Sequence, residues 1–461
     1  MLKFKEKLSY GIGGISDNAL YTLTGTYLLL FLTTVSGINA SAAGTICAIG
    51  SIWEALIGPV IGYRSDRTNS PIGKRRPFLL AASVPIMIVT TLLFTKVGFS
   101  ANLRVLYYGM LVILFWSFFS CEFIPYISWG ADLTEDYHER TVLRSYSYVF
   151  NQIGMLIGMV LPSVILDITV NLGISTENSW SIIGAFVGIL AGTSLIISGL
   201  TLKDRKTEYT DISEKESIGV ILREYISILK LKPLIPLLLS SVAFLIAEEM
   251  FNSSRVFYIA YNLLKGEKFL SLVMLTVTLS GIVFVPFVTA LSKRTDKKIA
   301  FMVGIGISGI LMVIMRFINV SVIITCVVYA FANTCYWQLM PSMMYDVCLF
   351  QEVKEKTPRS GSIISVQALS ESISMAFGIQ LLGILLDRSG FDSFSAVQNE
   401  SALSWISSSF TLIPGIFMIL VFFFMLFYPI DRVTYIRLTE EVEMVRKGER
   451  LSSDGLGKMP E

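Results

Sequence analysis

Residues 180–202, WSIIGAFVGILAGTSLIISGLTL, run from Trp180 to Leu202 without a charged side chain, and residues 203–232, KDRKTEYTDISEKESIGVILREYISILKLK, follow as the longest polar stretch inside the chain. About 20 mostly apolar residues suffice for a helix to cross the hydrocarbon core of a bilayer. The first stretch therefore reads as a membrane span and the second as a loop outside the membrane. Working outward in both directions, further spans are predicted at roughly 10–34, 41–63, 78–97, 104–128, 144–168, 234–263, 268–292, 299–317, 320–345, 362–386 and 404–430. With 180–202 they make twelve, divided six and six by the polar stretch. The expected organisation is a six-helix bundle over 1–202, a central loop over 203–232, a second bundle over 233–430 and a tail over 431–461.

Composition agrees with this reading. Of the 461 residues, 53% are hydrophobic and 16% charged, against roughly 25% charged in soluble domains, and mean hydropathy is +0.65. The apolar excess is spread along the whole chain, which excludes a soluble domain on a single anchor. The net charge of +2 has no dense basic block behind it, so nucleic acid is not an expected partner; the lipid bilayer and a small-molecule substrate are. Cys47, Cys121, Cys326, Cys335 and Cys348 fall in apolar segments without CxxC spacing, and His138 is the only histidine. Disulfides, zinc and a Ser-His hydrolase are therefore not expected, nor is any organic cofactor or enzymatic activity.

The basic residues set an orientation. Of the 37 Lys and Arg, only Lys96, Arg104, Lys265, Lys268, Arg316 and Arg388 lie in one set of loops, with Arg255 inside a span; all others fall in the termini and the opposite loops. Cytoplasmic loops carry the excess of Lys and Arg, so both termini are expected in the cytoplasm, with the chain in the cell membrane. Near Met1 the lysines precede a full-length span, which reads as a retained first helix. Asp296-Lys297 follows span eight as Asp66-Arg67 follows span two. Such echoes are the mark of secondary transporters, which place the substrate near the midplane between repeats. Gly154/Gly158 and Gly184/Gly188/Gly192 have the small-xxx-small spacing of close helix packing. The tail beyond Tyr428 is charged, then rich in Ser and Gly, and is expected to fray.

The loop after span two, with Asp66-Arg67 and then Gly73-Lys74-Arg75-Arg76-Pro77, resembles the conserved loop of the major facilitator superfamily. Asp66, Arg67 and Arg75 can pair across helix ends and latch one face of the protein. Tyr10-Gly11 through Asp17, Trp53-Glu54, Pro59-x-x-Gly62, Ile124-Pro125-Tyr126, and the block Asp346 to Lys354 followed by Arg359-x-Gly361 and Ser365-Val-Gln367 are similar to the glycoside–pentoside–hexuronide:cation symporters. The resemblance implies an all-α fold of that superfamily and sugar symport. It also implies that Asp17 accepts sugar hydroxyls and that Glu54 serves the cation, with Glu122 on span four as a further cation candidate; Asp346, Glu352 and Arg359 join the gating set.

A charge at the bilayer centre is unfavourable by at least ~2.5–3.5 kcal/mol on insertion scales. Asp17, Glu54, Glu122, Glu248, Glu249, Arg255 and Glu371 are functional candidates on that ground alone. Several positions depart from the family pattern. The second carboxylate of the span-two cation site is Gly58 here, which favours a proton over sodium as the coupling ion, because one carboxyl suffices to carry a proton. The span-four acid falls at Phe123, with Glu122 about 100° away around the helix. The span-five arginine maps to Tyr148, the tryptophan after span four to Ile127 and the span-eleven lysine to Ser372, so two charged donors are missing from the implied sugar pocket. Its candidate lining is Trp53, Tyr148, Asn151, Gln152, Trp337 and Gln338, with interhelical packing as the competing role for each. Glu248, Glu249, Asn252 and Arg255 lie within two turns of one helix, which places an acid and the arginine to neutralise one another as an internal ion pair, with coupling or gating as the competing role. The reading that results is a cation-coupled, preferentially proton-coupled, symporter of a glycoside or related small polar solute. The rival within transport is an exporter or lipid carrier on the same fold.

Overall fold

The computed structural model describes residues 2–134, 136–202, 218–318, 320–355, 359–392 and 397–446. Twelve helices among these residues are long and apolar enough to cross a membrane. We refer to them as spans one to twelve: Phe4–Val35, Ala42–Arg67, Arg76–Leu93, Ala101–Leu133, Tyr137–Asn171, Thr176–Thr201, Leu234–Asn262, Phe269–Arg294, Lys297–Met315, Val322–Glu355, Ser360–Ser389 and Glu400–Leu426. Helices are what a bilayer permits, since every backbone N–H and C=O in lipid must be satisfied within the segment or by a neighbour. Each expected span is found, and the protein is an all-α, multi-pass membrane protein with the fold of two six-helix bundles.

Local sequence sets where the helices begin. Asn39, Asp136, Ser175, Asp296 and Asn399 cap spans two, five, six, nine and twelve, each side chain accepting a backbone N–H of the first turn, as short polar residues at that position do. Span five breaks at Val160, just before Pro162, and span twelve at Thr411, before Pro414. Spans one and seven both end in a π-helical turn, Phe31–Val35 and Tyr258–Asn262.

The chain divides into two compact units, Met1–Glu224 with Thr357–Val366, and Tyr225–Lys356 with Gln367–Glu461. In the first, span one packs on five and six, three on six and four, and two on four. In the second, seven and nine pack on twelve, and eight and nine on ten, so most of these pairings recur six spans later. The small-xxx-small glycines do pack. A Cβ on Gly154 would stand 2.6 Å from the Ile15 carbonyl oxygen and one on Gly158 2.5 Å from that of Ala19, so span five lies directly on the backbone of span one. The outward faces are apolar: Leu272, Leu275, Leu279, Val283 and Phe287 of span eight are all exposed at helical spacing, a stripe that suits lipid and not water.

Three expectations change. Span five starts at Tyr137, so Arg140 and Arg144, read as loop charges, lie in its first turns and are buried. Arg140 donates to the carbonyls of Thr134 (2.9 Å) and Ala131 (3.3 Å), closing the orphan end of span four. The central loop contains a helix, Ile218–Leu229, with 203–217 outside the described residues. The start of the tail is a helix too, Arg432–Arg446, in which Tyr435, Leu438 and Val442 form one buried stripe, because this charged segment is amphipathic. Residues 447–461 lie outside the described residues.

Candidate functional site

In the first unit the polar residues of spans one, four and five converge. Gly14 has no Cβ to keep span five away; one placed there would stand 2.9 Å from the Ser147 carbonyl oxygen. That approach brings Asn151 to Asp17, its Nδ2 donating to Oδ2 at 3.3 Å. Tyr126, within electrostatic reach of Asp17, stacks on Tyr10 with centroids 4.8 Å apart, donates to the Tyr10 carbonyl at 2.7 Å and shares a hydrogen bond with Ser147 Oγ at 2.9 Å. Arg144 is buried on the same face of span five, its Nη1 donating to Ser147 Oγ (3.3 Å) and the Tyr10 hydroxyl (3.5 Å), and its guanidinium lies within electrostatic reach of Asp17. A carboxylate, a carboxamide and a guanidinium beside aromatic rings can together accept and donate to several hydroxyls.

The guanidinium is the part sequence reasoning missed. The position implied for a span-five arginine holds Tyr148, which is buried; Arg144 stands one turn earlier, on the helix face that carries Ser147 and Asn151. Its i, i+3, i+7 relation to those residues was the available signal, masked by its place at the end of a polar loop. Gln152 is buried on the same helix. Glu122 is fully buried beside Ser16, within electrostatic reach of Asp17. Glu54 is partly buried on span two, where its neighbour Trp53 donates Nε1 to Ser117 Oγ at 2.8 Å.

The second unit holds a separate cluster. Glu248 accepts from Asn333 Nδ2 at 2.8 Å, Trp337 Nε1 at 3.2 Å and the Tyr329 hydroxyl at 3.3 Å. The expected neutralisation by Arg255 does not occur. Arg255 sits over the Phe251 ring, 5.6 Å from its centroid, and Glu249 accepts from Ser253 Oγ at 2.7 Å. The reason is directional: Glu248 points from span seven toward span ten, where neutral donors meet it. Gln338 turns away from this cluster and donates to Thr289 Oγ1 at 2.7 Å. Glu371 accepts from Gln367 Nε2 at 3.0 Å.

The loop charges are brought together more tightly. Fully buried Arg75 donates to Asp66 Oδ1 (2.6 Å), Asp132 Oδ2 (3.0 Å), Ser65 Oγ (2.5 Å) and Ser360 Oγ (2.6 Å). Burial opposes its charge, but Asp66 and Asp132 hold its pKa above the ordinary arginine value. Asp66 in turn accepts the N–H groups of Gly361 (2.7 Å) and Ser362 (2.9 Å), satisfying orphan donors at the start of span eleven as a capping carboxylate does. Gly62 and Gly361 let the backbones meet: a Cβ on Gly62 would stand 2.6 Å from the Gly361 carbonyl oxygen. Arg67 pairs with Glu224 at 2.6 Å, and Glu224 also accepts from Ser362 Oγ at 2.8 Å. The echo predicted after span eight has the corresponding feature: Lys297 Nζ donates to both oxygens of Asp346 at 3.0 Å, with both side chains buried. Asp296 accepts the backbone N–H of Arg432 at 2.8 Å. Glu352 and Arg359 are partly buried.

Among the described residues no group of three or more His, Cys, Asp or Glu could hold a metal ion. A family profile described as "MFS/sugar transport protein" matches residues 9–432. The chain is similar to the uncharacterized symporter YnaJ of Bacillus subtilis, 26% identical with 95% of this chain and 94% of that one covered. It is also similar to the glucuronide carrier protein homolog of Escherichia coli, at 24% identity and 97% coverage of both. Among solved structures, the E. coli fucose:proton symporter FucP superposes with a TM-score of 0.66 at 13% identity, covering 92% of this chain and 98% of that one, a likeness of fold.

Proposed function

The chain belongs to the MFS/sugar transport protein family, a non-enzymatic transporter family, and on that premise we propose that it is a proton-coupled symporter of a glycoside, pentose or hexuronide, of the glycoside–pentoside–hexuronide:cation type. The observation that carries this reading is the convergence of Asp17, Asn151 and Arg144 beside the Tyr10–Tyr126 stack. Sugar sites combine aromatic surface with a few placed polar groups, and charges are retained inside a membrane span where they serve a pathway. Tyr148 and Gln152 complete the proposed lining in the first unit; Trp337 and Gln338 are the proposed lining residues of the second. Glu54 and Glu122 serve the cation, and the absence of a second carboxylate at Gly58 favours the proton. Binding of sugar and proton favours one occluded state of an alternating-access cycle. Asp66, Arg67, Arg75, Asp346, Glu352 and Arg359 hold the gate on the cytoplasmic side. Both termini lie in the cytoplasm and the protein in the cell membrane.

The test is uptake into proteoliposomes of methyl β-D-glucuronide, D-xylose and methyl α-D-galactoside, with an inward proton gradient or an inward sodium gradient imposed separately. Accumulation of one sugar under the proton gradient is the expected result. Silence with all three under both gradients, from folded protein, overturns the sugar reading and turns attention to export or an amphiphilic cargo.

A further inference from the structure

Glu248 takes no part in the site proposed above, yet its surroundings are built. It is 9% exposed, and among the described residues its partners are all neutral donors: Tyr329, Asn333 and Trp337. These three recur every four residues, so they share one face of span ten. Tyr329 is locked there by a stack on Phe251 with centroids 3.8 Å apart. Asn333 and Trp337 are only partly buried, and a polar face of a membrane helix turns to the bundle interior or to a water-filled cavity, not to lipid.

The acceptor capacity is unevenly used. Oε1 of Glu248 takes Tyr329, Asn333 and one branch of the Trp337 N–H, at 3.3, 2.8 and 3.3 Å, whereas Oε2 takes only the other branch, at 3.2 Å. A carboxylate has about four lone-pair sites over its two oxygens, so Oε2 retains room for another donor beside the indole. Indole and carboxamide N–H groups offer hydrogens only, which suits a carboxylate acting as an acceptor.

We propose that Glu248, Asn333 and Trp337 form a hydroxyl-binding subsite of the second unit, in which Glu248 Oε2 accepts a hydroxyl of a sugar ring lying against the Trp337 indole. The inference rests on the sugar-transport reading and adds to it a substrate-orienting carboxylate on span seven. Tyr329 and Phe251 position Glu248 without touching the sugar.

The experiment uses the full chain and whichever of the three panel sugars the wild type accumulates, together with the monodeoxy analogues of that sugar. Equilibrium binding is measured for wild type and Glu248→Gln, with thermal unfolding as the check on folding. The variant is expected to bind the parent sugar about tenfold or more weakly, as loss of a charge-assisted hydrogen bond entails. One deoxy analogue, disfavoured by the wild type, is expected to bind the variant as well as the parent sugar does, a change that a merely structural role would not produce. If Glu248→Gln does not fold, Asn333→Ala, which leaves the carboxylate in place, is scored in the same way. A folded variant with unchanged affinity and unchanged discrimination among the analogues overturns the subsite while leaving the sugar transporter standing. Unchanged affinity with lost accumulation also overturns it, assigning Glu248 to coupling. If the wild type takes up none of the three sugars, both readings fall together.

Discussion

Asp17 and Glu54 are both carboxylates in apolar helices, and the two proposed roles separate in measurement. Asp17→Asn keeps the shape and removes the charge around which Asn151 and Arg144 are arranged. A hydrogen bond to a charged group contributes about 1.5–3 kcal/mol, so sugar affinity in equilibrium binding should fall roughly ten- to hundredfold; an unchanged affinity removes Asp17 from the site. Glu54→Gln should abolish uphill accumulation in proteoliposomes while exchange of labelled for unlabelled sugar continues, and intact accumulation would take the coupling role from Glu54. Both residues were visible in the sequence because a charge among apolar neighbours is conspicuous. Arg144 was not, because a base near a loop looks like an anchor until the helix is known to start at Tyr137. Glu248 was visible as a charge but not in its partners: sequence spacing placed Arg255 within reach, and only the direction of the side chain shows that span ten meets it first.

At the level of elements, the helix Arg432–Arg446 is held by its apolar stripe, and one carboxyl is buried with it. Glu441 is 8% exposed, its Oε2 has no hydrogen-bond partner, and burial raises its pKa above the usual 4.5. An acid whose pKa is higher folded than unfolded gives stability that is complete below the unfolded value and lost as pH rises through the folded one. Docking of this helix should therefore tighten on acidification, read as slower amide hydrogen exchange over 432–442 after correction for intrinsic rates. Glu441→Gln should remove the dependence; a slope that survives the substitution would place its origin elsewhere. The tail was expected to fray because its charge density resembles that of a solvated segment. The spacing of Tyr435, Leu438 and Val442 was present in the sequence, but whether an apolar stripe docks depends on a complementary surface, which no local pattern specifies.

For the molecule as a whole, the charges after span two act as one assembly. Arg75 joins Asp66, Asp132 and Ser360, and Asp66 caps the start of span eleven. Removing one partner of a buried ion pair leaves an uncompensated charge and destabilises by about 3–5 kcal/mol. Arg75→Ala should therefore lower the thermal unfolding temperature sharply, whereas Lys74→Ala, whose contact with Asp132 is longer at 3.5 Å, should shift it little; equal effects would show that the network does not depend on the guanidinium. Twelve spans, two bundles and the repeat at Asp296-Lys297 could be read from the chain because a bilayer imposes one length and one polarity on every crossing segment, and those are properties of consecutive residues. The meeting of Asp17 with Asn151, of Glu248 with Trp337 and of Asp66 with Gly361 belonged to the tertiary structure alone. Each joins residues far apart in the sequence, through contacts set by how closely glycine-bearing helices approach and which way each face is turned.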